Sequence, residues 1–362
     1  MSSLFDKVVL NNKVEVPSRL AIAPLTLFSS NPDGTLNDEE REYLKMRGKG
    51  IGLYILGATC VNQQGLTFVN QPRAFSEKDL PSLTERAKII KDQGAKAIIQ
   101  IHHGGNRANK ELSGLDPVNI DTITDEEIKK LINDFGYATE LSIKSGHDGI
   151  EIHGANGFVL QQFYSRHSNH RTDAWGGSDE KRMSFALKVV DACCKAREKL
   201  NRPDFIIGYR LSPEEPDEDG LTMTETLKLV RELVKKPLQF LHVSESNYFT
   251  KAHRGEGAGQ ERLKTIHNAI KGKLALVGVG GLKSEKDFNT ALKSGFSEFI
   301  GAGKASMMNK DLGILLKEGK GDKLDLQLDL DHPEKYSIPK NLWDMCHQGM
   351  DWLPPVKSKS HK

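Results

Sequence analysis

The sequence lacks the long apolar run that a membrane-spanning helix requires. Its longest apolar stretch covers residues 274–282, far below the roughly 20 residues that cross a bilayer. The N-terminus, MSSLFDKVVLNNK, has no apolar signal-peptide core. With 51 Lys and Arg against 49 Asp and Glu, the net charge of +2 argues against a global field that would hold nucleic acid or an anionic membrane. We therefore expect a cytoplasmic protein that binds neither.

Cysteine is also scarce and shows no metal-binding or redox spacing. The four cysteines, Cys60, Cys193, Cys194 and Cys346, form no C-x-x-C pair, and the adjacent pair has poor geometry for a disulfide. A chain of 362 residues is long enough to bury a large core without such crosslinks. The sequence therefore predicts neither a disulfide nor a metal site.

What the chain does contain is a regular alternation of apolar runs and polar helical stretches. This pattern is typical of βα units that form a parallel sheet. The predicted strands cover residues 19–25, 52–59, 95–102, 148–154, 204–212, 240–246, 274–281 and 296–303. Helices are predicted near 38–49, 82–93, 125–146, 179–199, 224–236, 260–271, 284–294 and 306–317, with Ser178 and Ser284 as N-caps of two of them.

This alternation indicates a single (β/α)₈ barrel, which typically takes ~250 residues. The alternative is a doubly wound open sheet, but no G-x-G-x-x-G follows the first strand, where APLTLFSSNPDG stands. We assign the barrel to residues 1–320 and a C-terminal extension to residues 321–362. The additional residues are expected in an N-terminal hairpin at 4–16 and in loops at 103–124 and 247–260. The final PPVKSKSHK is predicted to be disordered.

Two glycine clusters follow the last two predicted strands, at VGVGG (277–281) and GAGK (301–304). Barrels often build a phosphate site at this position from backbone N–H groups. Gly280, Gly281 and Gly303 would let the backbone approach a phosphate, and Lys304 would supply a cation. Tight turns are the alternative explanation for such glycines.

Three further polar residues lie at strand ends on the same rim: Thr26, Gln100 and Arg210. A hydroxyl, a bifunctional amide and a permanent cation suit a flat heterocycle that becomes negatively charged on reduction, such as an isoalloxazine ring. A phosphorylated sugar or a pyridoxal ring would also need phosphate contacts. Pyridoxal chemistry, however, calls for a lysine at a strand end, and none of the predicted strands ends in one.

The segment EIHGANGF places His153 and Asn156 at the end of the fourth predicted strand. If the chain turns there, both side chains can point to one spot and donate to a carbonyl or phenolate oxygen. A structural capping role is the alternative for each residue.

These residues carry a resemblance to the Old Yellow Enzyme family of NAD(P)H-dependent, FMN-containing oxidoreductases. The most specific stretch is DGIEIHGANGFVLQQFYSRHSNHRTDAWGGSDEKR (148–182), supported by RLAIAPLT, QIHHGGN, YRLSP, GVGG and FIGAGK. The resemblance extends over residues 4–317 and implies the (β/α)₈ fold. It implies a flavin ring surrounded by Pro24, Leu25, Thr26, Ala58, Gln100 and Arg210, and a cofactor phosphate bound by Gly280, Gly281, Gly303 and Lys304.

His153 and Asn156 match the family's pair that binds the substrate oxygen, and we add Phe28 and Tyr248 as substrate contacts. The chain departs from the family at Phe158, where a tyrosine that protonates the substrate is usual. Two further departures are Lys304 in place of arginine, and Asn106 followed by Arg107 where the arginine comes one position earlier. A phenyl ring donates no proton, so Tyr164, His102, His103, Tyr248 and water remain alternatives as the donor.

The resemblance implies hydride transfer from NAD(P)H to FMN and then to an α,β-unsaturated carbonyl compound, with His153, Asn156 and Phe158 at the catalytic position. A reductase of quinones, nitro compounds, flavins or oxygen is the alternative that Phe158 favours. A flavin-binding sensor or scaffold and a sugar-phosphate lyase are alternatives of other classes. Trp343 and Trp352 in the tail either cover a neighbouring subunit in a homo-oligomer or fold back onto the barrel.

Overall fold

A short antiparallel hairpin packs against the N-terminal ends of the barrel strands. In the computed structural model, which describes residues 3–357, β1 (Val8–Val9) pairs with β2 (Glu15–Val16). Val8 and Val16 belong to one apolar cluster with Leu53 and Phe240 from two barrel strands. Because this cluster seals the N-terminal end of the barrel, it leaves the opposite end for a site. The hairpin predicted at 4–16 is confirmed.

Eight parallel strands form a closed barrel, so the open-sheet alternative is wrong. Each strand pairs with its sequence neighbours, and the last strand pairs with the first. Strands such as KAIIQIH and GIEIHG are buried along almost their whole length, which explains their continuous apolar character. The barrel strands are β3 (Leu20–Ile22), β4 (Leu53–Cys60), β5 (Lys96–His102), β6 (Gly149–Gly154), β7 (Ile206–Leu211), β8 (Phe240–Val243), β9 (Ala275–Val279) and β10 (Phe299–Ala302).

Helices follow the strands and surround the barrel. Ser178 and Ser284 cap two of them with side-chain oxygens that accept backbone N–H groups, as predicted. The helices are α1 (Asp38–Arg47), α2 (Leu80–Lys91), α3 (Lys110–Ser113), α4 (Asp125–Lys144), α5 (Val159–Tyr164), α6 (Asp179–Lys199), α7 (Met223–Leu233), α8 (Arg262–Ile270), α9 (Glu285–Ser294), α10 (Lys304–Met308), α11 (Leu312–Lys317) and α12 (Lys340–Cys346). Short 3₁₀ turns cover Gln63–Gly65, Glu77–Asp79, Gly105–Arg107, Gly321–Lys323 and Pro333–Lys335. None of the helices between residues 3 and 357 has the length and apolar character needed to cross a membrane.

The helix predicted at 306–317 is wrong as a single element, because the chain breaks it into α10 and α11. Asn309 ends α10, and its side chain exchanges hydrogen bonds with the backbone of Asp325 at 2.8 and 3.0 Å. These bonds tie the break to the start of the C-terminal extension, so the interruption depends on a contact between distant parts of the chain.

The C-terminal extension folds back onto the top of the barrel within the same chain. Its Tyr336 and Trp343 belong to one apolar cluster with Met307 of α10. Asn341 in α12 donates to the carbonyl of Phe28 at 2.8 Å. Part of the predicted disordered end is ordered, since residues 355–357 exchange backbone hydrogen bonds with Leu328. The remainder, 358–362, lies outside the described residues, and the boundary at residue 320 stays a prediction.

Candidate active site

A pocket opens at the C-terminal end of the barrel strands and is walled by the loops that follow them. Its volume of about 570 Å³ is in the range of small-molecule sites. With the exception of Tyr248, the residues predicted for the flavin ring, the phosphate and the substrate line this one pocket. They are Pro24, Leu25, Thr26, Phe28, Ala58, Gln100, His153, Asn156, Phe158, Arg210, Gly280, Gly281, Gly303 and Lys304.

Tyr248, predicted as a substrate contact, lies outside this pocket, and that prediction needs correction. Its side chain is fully buried, and its hydroxyl is 2.8 Å from the Ser297 hydroxyl. The Tyr248 backbone N–H donates to the carbonyl of Gly280 at 3.0 Å. This bond fixes the loop after β8, and the ring packs behind the barrel instead of entering the pocket.

Beneath the pocket, a buried carboxylate orients the side-chain amide of Gln100, which is predicted to contact the flavin ring. Gln100 in β5 donates its Nε2 to Glu151 Oε1 at 2.7 Å, and His242 Nδ1 lies 2.7 Å from Glu151 Oε2. The side chains of Glu151 and His242 are fully buried. Because its amide nitrogen is engaged by Glu151, Gln100 has its carbonyl oxygen free to accept a hydrogen bond. Sequence analysis missed Glu151 and His242 as parts of the site, although both are polar residues in the middle of apolar strands.

Arg210 supplies a buried positive charge to the same pocket. Its Nη2 donates to Ser244 Oγ at 3.1 Å, while its buried Nε has no partner within residues 3–357. Burial lowers the pKa of Arg210, and the negative charge of Glu151 opposes this shift. A buried donor without a partner is costly, so this guanidinium is suited to an acceptor atom of a bound ring.

Glycines and a lysine form the other end of the pocket. Gly280 and Gly281 have φ values of +143° and +67°. A Cβ on Gly280 would lie 2.6 Å from the backbone carbon of Asn247, so the loops approach each other closely only with glycine there. Burial and then the charge of Lys283 lower the pKa of Lys304. The two positive charges therefore favour an anion here. Sequence analysis missed Lys283, which stands two residues after Gly281.

His153 and Asn156 reach the pocket from the end of β6. Burial lowers the pKa of His153 well below its usual range, and His102 and Arg210 add to the shift. The Ala155 N–H donates to His153 Nδ1 at 3.4 Å, which assigns the proton of the neutral ring to Nε2. Asn156 adopts φ of +58°, which turns the chain out of the strand.

Contacts on three sides hold Asn156. Its backbone N–H donates to Ser212 Oγ at 2.9 Å, and its Oδ1 accepts from Ser244 Oγ at 2.8 Å. The Asn156 carbonyl accepts from Arg107 at 2.7 Å. The Nδ2 group remains free to donate, so the pair presents two neutral donors to one pocket.

Phe158 gives the pocket an apolar face at the position where the resemblance to the Old Yellow Enzyme family predicts a tyrosine proton donor. Its ring packs edge-on against His102 and His153, with centroids 4.4 and 5.2 Å apart. The four side chains considered as alternative donors do not line the pocket. Tyr164 donates to the Glu225 carbonyl at 2.5 Å. His102 and His103 are buried, and burial holds the pKa of each below its usual range.

The predicted substrate contact Phe28 forms an aromatic wall with Phe68 and Trp352. The ring centroids are 5.7 Å apart for the two phenylalanines and 6.3 Å apart for Phe28 and Trp352. Sequence analysis did not place Phe68 or Trp352 in the pocket. Lys304 donates to the carbonyl of Asp351, so the C-terminal segment lies against the end of the pocket where a phosphate is predicted. Arg107 also lines the pocket. For Trp352, the sequence predicted either a cover for a neighbouring subunit or a return to the barrel, and the side chain lies against the barrel of the same chain.

Comparison with known proteins decides the family. The sequence profile of the NADH:flavin oxidoreductase / NADH oxidase family matches residues 3–323. The chain belongs to this family. A probable NADH-dependent flavin oxidoreductase, YqiG of Bacillus subtilis, is 36% identical over 97% of both chains. An NADH:acrylate oxidoreductase of Vibrio harveyi is 32% identical over 98% of this chain, and this chain spans only 36% of that protein. An NADH:fumarate oxidoreductase of Klebsiella pneumoniae is also 32% identical, over 92% of this chain and 38% of its own length.

Solved structures show the same fold. The Old Yellow Enzyme homologue from Zymomonas mobilis superposes with a TM-score of 0.79 at 22% identity, covering 93% of this chain and 99% of that one. Morphinone reductase in complex with tetrahydroNAD gives 0.78 at 20% identity, covering 100% and 99%. The predicted fold and the predicted resemblance are therefore both confirmed.

This NADH:flavin oxidoreductase uses FMN as its cofactor and NAD(P)H as its reductant. The residues present fit FMN. The unpartnered Nε of Arg210 and the free carbonyl of Gln100 offer a donor and an acceptor to a heterocycle edge. The glycine loops and Lys304 offer backbone approach and a cation to a phosphate. Both sets line one pocket, as a ring with a phosphorylated side chain requires.

Proposed function

We propose that this oxidoreductase reduces the carbon–carbon double bond of α,β-unsaturated carbonyl compounds with NAD(P)H as the reductant. The neutral donor pair of His153 and Asn156 carries this proposal, because it faces the same pocket as the cofactor residues. Two relatives support it by name, since acrylate and fumarate are both alkenes conjugated to a carboxylate.

In this proposal, His153 Nε2 and Asn156 Nδ2 donate to the carbonyl oxygen of the acceptor. They stabilise the negative charge that develops on this oxygen as the double bond accepts hydride, an effect of about 100-fold or more in rate per donor. When bound, FMN supplies a ring that carries two electrons from NAD(P)H to the acceptor. Arg210 stabilises added negative charge next to that ring, and Phe28, Phe68 and Trp352 form an apolar wall of the pocket.

Reduction of quinones, nitro compounds, flavins or oxygen is the second candidate function, and Phe158 favours it. These acceptors take electrons without a side-chain acid at this position, whereas an alkene needs a proton on the second carbon. Water from the open side of the pocket would supply that proton in an enone reductase with Phe158. The small-molecule acceptor, the homo-oligomer and the cytoplasmic location remain predictions.

Anaerobic stopped-flow spectroscopy separates the two functions. The holoenzyme is reduced with one equivalent of NADH and mixed with 2-cyclohexenone or with benzoquinone. We expect reoxidation by both, and a fall of about 100-fold or more with the enone when His153 and Asn156 are both replaced by alanine. Reoxidation by benzoquinone alone would assign the second function. The variant Phe158→Tyr serves as the matched control, with an expected gain in enone rate only.

A further inference from the structure

Arg107 is a charged residue of the pocket that the proposed chemistry does not use. It ends the 3₁₀ turn after β5, and its Nη1 donates to the Asn156 carbonyl at 2.7 Å. Its guanidinium carbon lies 4.8 Å from the centroid of the Phe158 ring. Within residues 3–357, Arg107 has no carboxylate within salt-bridge distance (4.0 Å).

The other charges around the pocket have partners or assigned roles. Glu245 pairs with Arg262 at 3.1 Å, so it does not balance Arg107. Arg210 lies in the field of Glu151, and Lys304 lies at the predicted phosphate end. Asp351 lies beside Lys304, to which it offers its carbonyl. Arg107 is exposed at the pocket, and among the described residues its positive charge has no carboxylate partner on the side that carries Asn156.

The packing fixes the orientation of this excess charge. Phe158 is held between His102, His153 and Phe68, so it offers a rigid face to the guanidinium. One N–H of Arg107 is used by the Asn156 carbonyl, and the remaining donors keep the planar fork that binds carboxylate or phosphate oxygens in a bidentate manner.

We propose that Arg107 forms an anion subsite that binds a carboxylate or phosphate group of the molecule reacting in this pocket. The proposal rests on the proposed function and deepens it. Two sources share this chemistry: a carboxylate on the acceptor, and the pyrophosphate of NAD(P)H. Because Arg107 touches the backbone of Asn156, the anion lies next to the oxygen that Asn156 binds.

Ligand binding to the oxidised holoenzyme tests the subsite without turnover. Benzoate and benzamide are titrated against the FMN absorbance of the wild type, Arg107→Gln and Arg107→Lys. We expect Arg107→Gln to weaken benzoate about tenfold to a hundredfold, as for a lost hydrogen bond to a charged group, and to leave benzamide unchanged. Arg107→Lys should retain part of the benzoate affinity.

Lys110→Gln is the matched control, because it removes one nearby positive charge that pairs with Asp116 at 2.6 Å and lies outside the pocket. This variant should leave both affinities unchanged. Equal losses of benzoate and benzamide in Arg107→Gln, or no loss of either, would overturn the subsite. A subsite confirmed in a protein that reduces no enone would refute the proposed function alone.

Steady-state arms then distinguish the two sources of the anion. The acceptor arm compares KM for monomethyl fumarate with KM for dimethyl fumarate, and the donor arm compares NADH with dihydronicotinamide riboside, which lacks phosphate. An Arg107→Gln effect confined to monomethyl fumarate assigns the acceptor carboxylate, and one confined to NADH assigns the pyrophosphate. Unchanged KM ratios in both arms would remove the subsite from the reaction.

Discussion

Replacing Glu151 with glutamine tests whether the buried carboxylate beneath the pocket stabilises the protein through its charge. Glutamine keeps the shape, and its amide can still pair with Gln100 and with His242, since a neutral imidazole can shift its proton between the two ring nitrogens. Burial lowers the pKa of His242, so that ring does not balance the carboxylate. The charge of Glu151 instead faces Arg210, which the variant would leave without a counter-ion.

The magnitude follows from the two hydrogen bonds at 2.7 Å. Each changes from a bond with a charged acceptor, worth about 1.5–3 kcal/mol, to a neutral one, worth about 0.5–1.5 kcal/mol. The unfolding free energy should therefore fall by about 2–3 kcal/mol. With an unfolding entropy of about 2.1 cal/mol/K per residue, this loss lowers Tm by about 3 °C.

Glu298→Gln is the matched control for this experiment. Glu298 also pairs with a histidine, at 2.9 Å to His267, but its side chain is 31% exposed. A pair that is partly open to solvent is screened and contributes about 1 kcal/mol or less, so the Tm of this variant should fall by about 1 °C. Differential scanning calorimetry of both holoenzymes measures the difference. If Glu151→Gln lost no more stability than Glu298→Gln, the charge of Glu151 would not stabilise the fold.

Two further predictions concern pH and the cofactor phosphate. Burial lowers the pKa of His147 from 6.5 to about 3, so the stability it contributes is present above pH 6.5 and is lost as the pH falls towards 3. Between about pH 7 and about pH 5, the unfolding free energy of the wild type should fall by about 2 kcal/mol more than that of His147→Phe, as measured by urea unfolding. An equal fall in the two proteins would contradict this. Lys304→Met should weaken FMN binding about tenfold to a hundredfold and leave riboflavin binding unchanged in fluorescence titrations, whereas equal losses would place the phosphate elsewhere.

The predicted positions of strands and helices came from local patterns, and the structure retains nearly all of them. Each barrel strand lies inside or within one residue of its predicted range, because an apolar run between polar segments has few places to be buried except a parallel sheet. The helix at 306–317 failed because Asn309 bonds to Asp325. That contact depends on where the extension lies, and no local pattern contains it.

The sequence by itself determined that Gln100, His153 and Arg210 share one rim, since the C-terminal ends of barrel strands converge. Only the tertiary structure decided that Tyr248 packs behind the barrel and that Arg107 reaches the pocket. Their directions depend on loop hydrogen bonds to Gly280 and Asn156, which come from other strands.

The tertiary structure also decided the contact between Glu151 and His242 and the position of Trp352. Glu151 in β6 contacts His242 in β8 only because the closed barrel brings two non-adjacent strands to one core. Trp352 reaches the pocket only because the C-terminal extension packs on α10. Residue types and their order fixed which chemistry was possible, and closure of the barrel decided which side chains meet, because long-range packing sets side-chain direction where local periodicity ends.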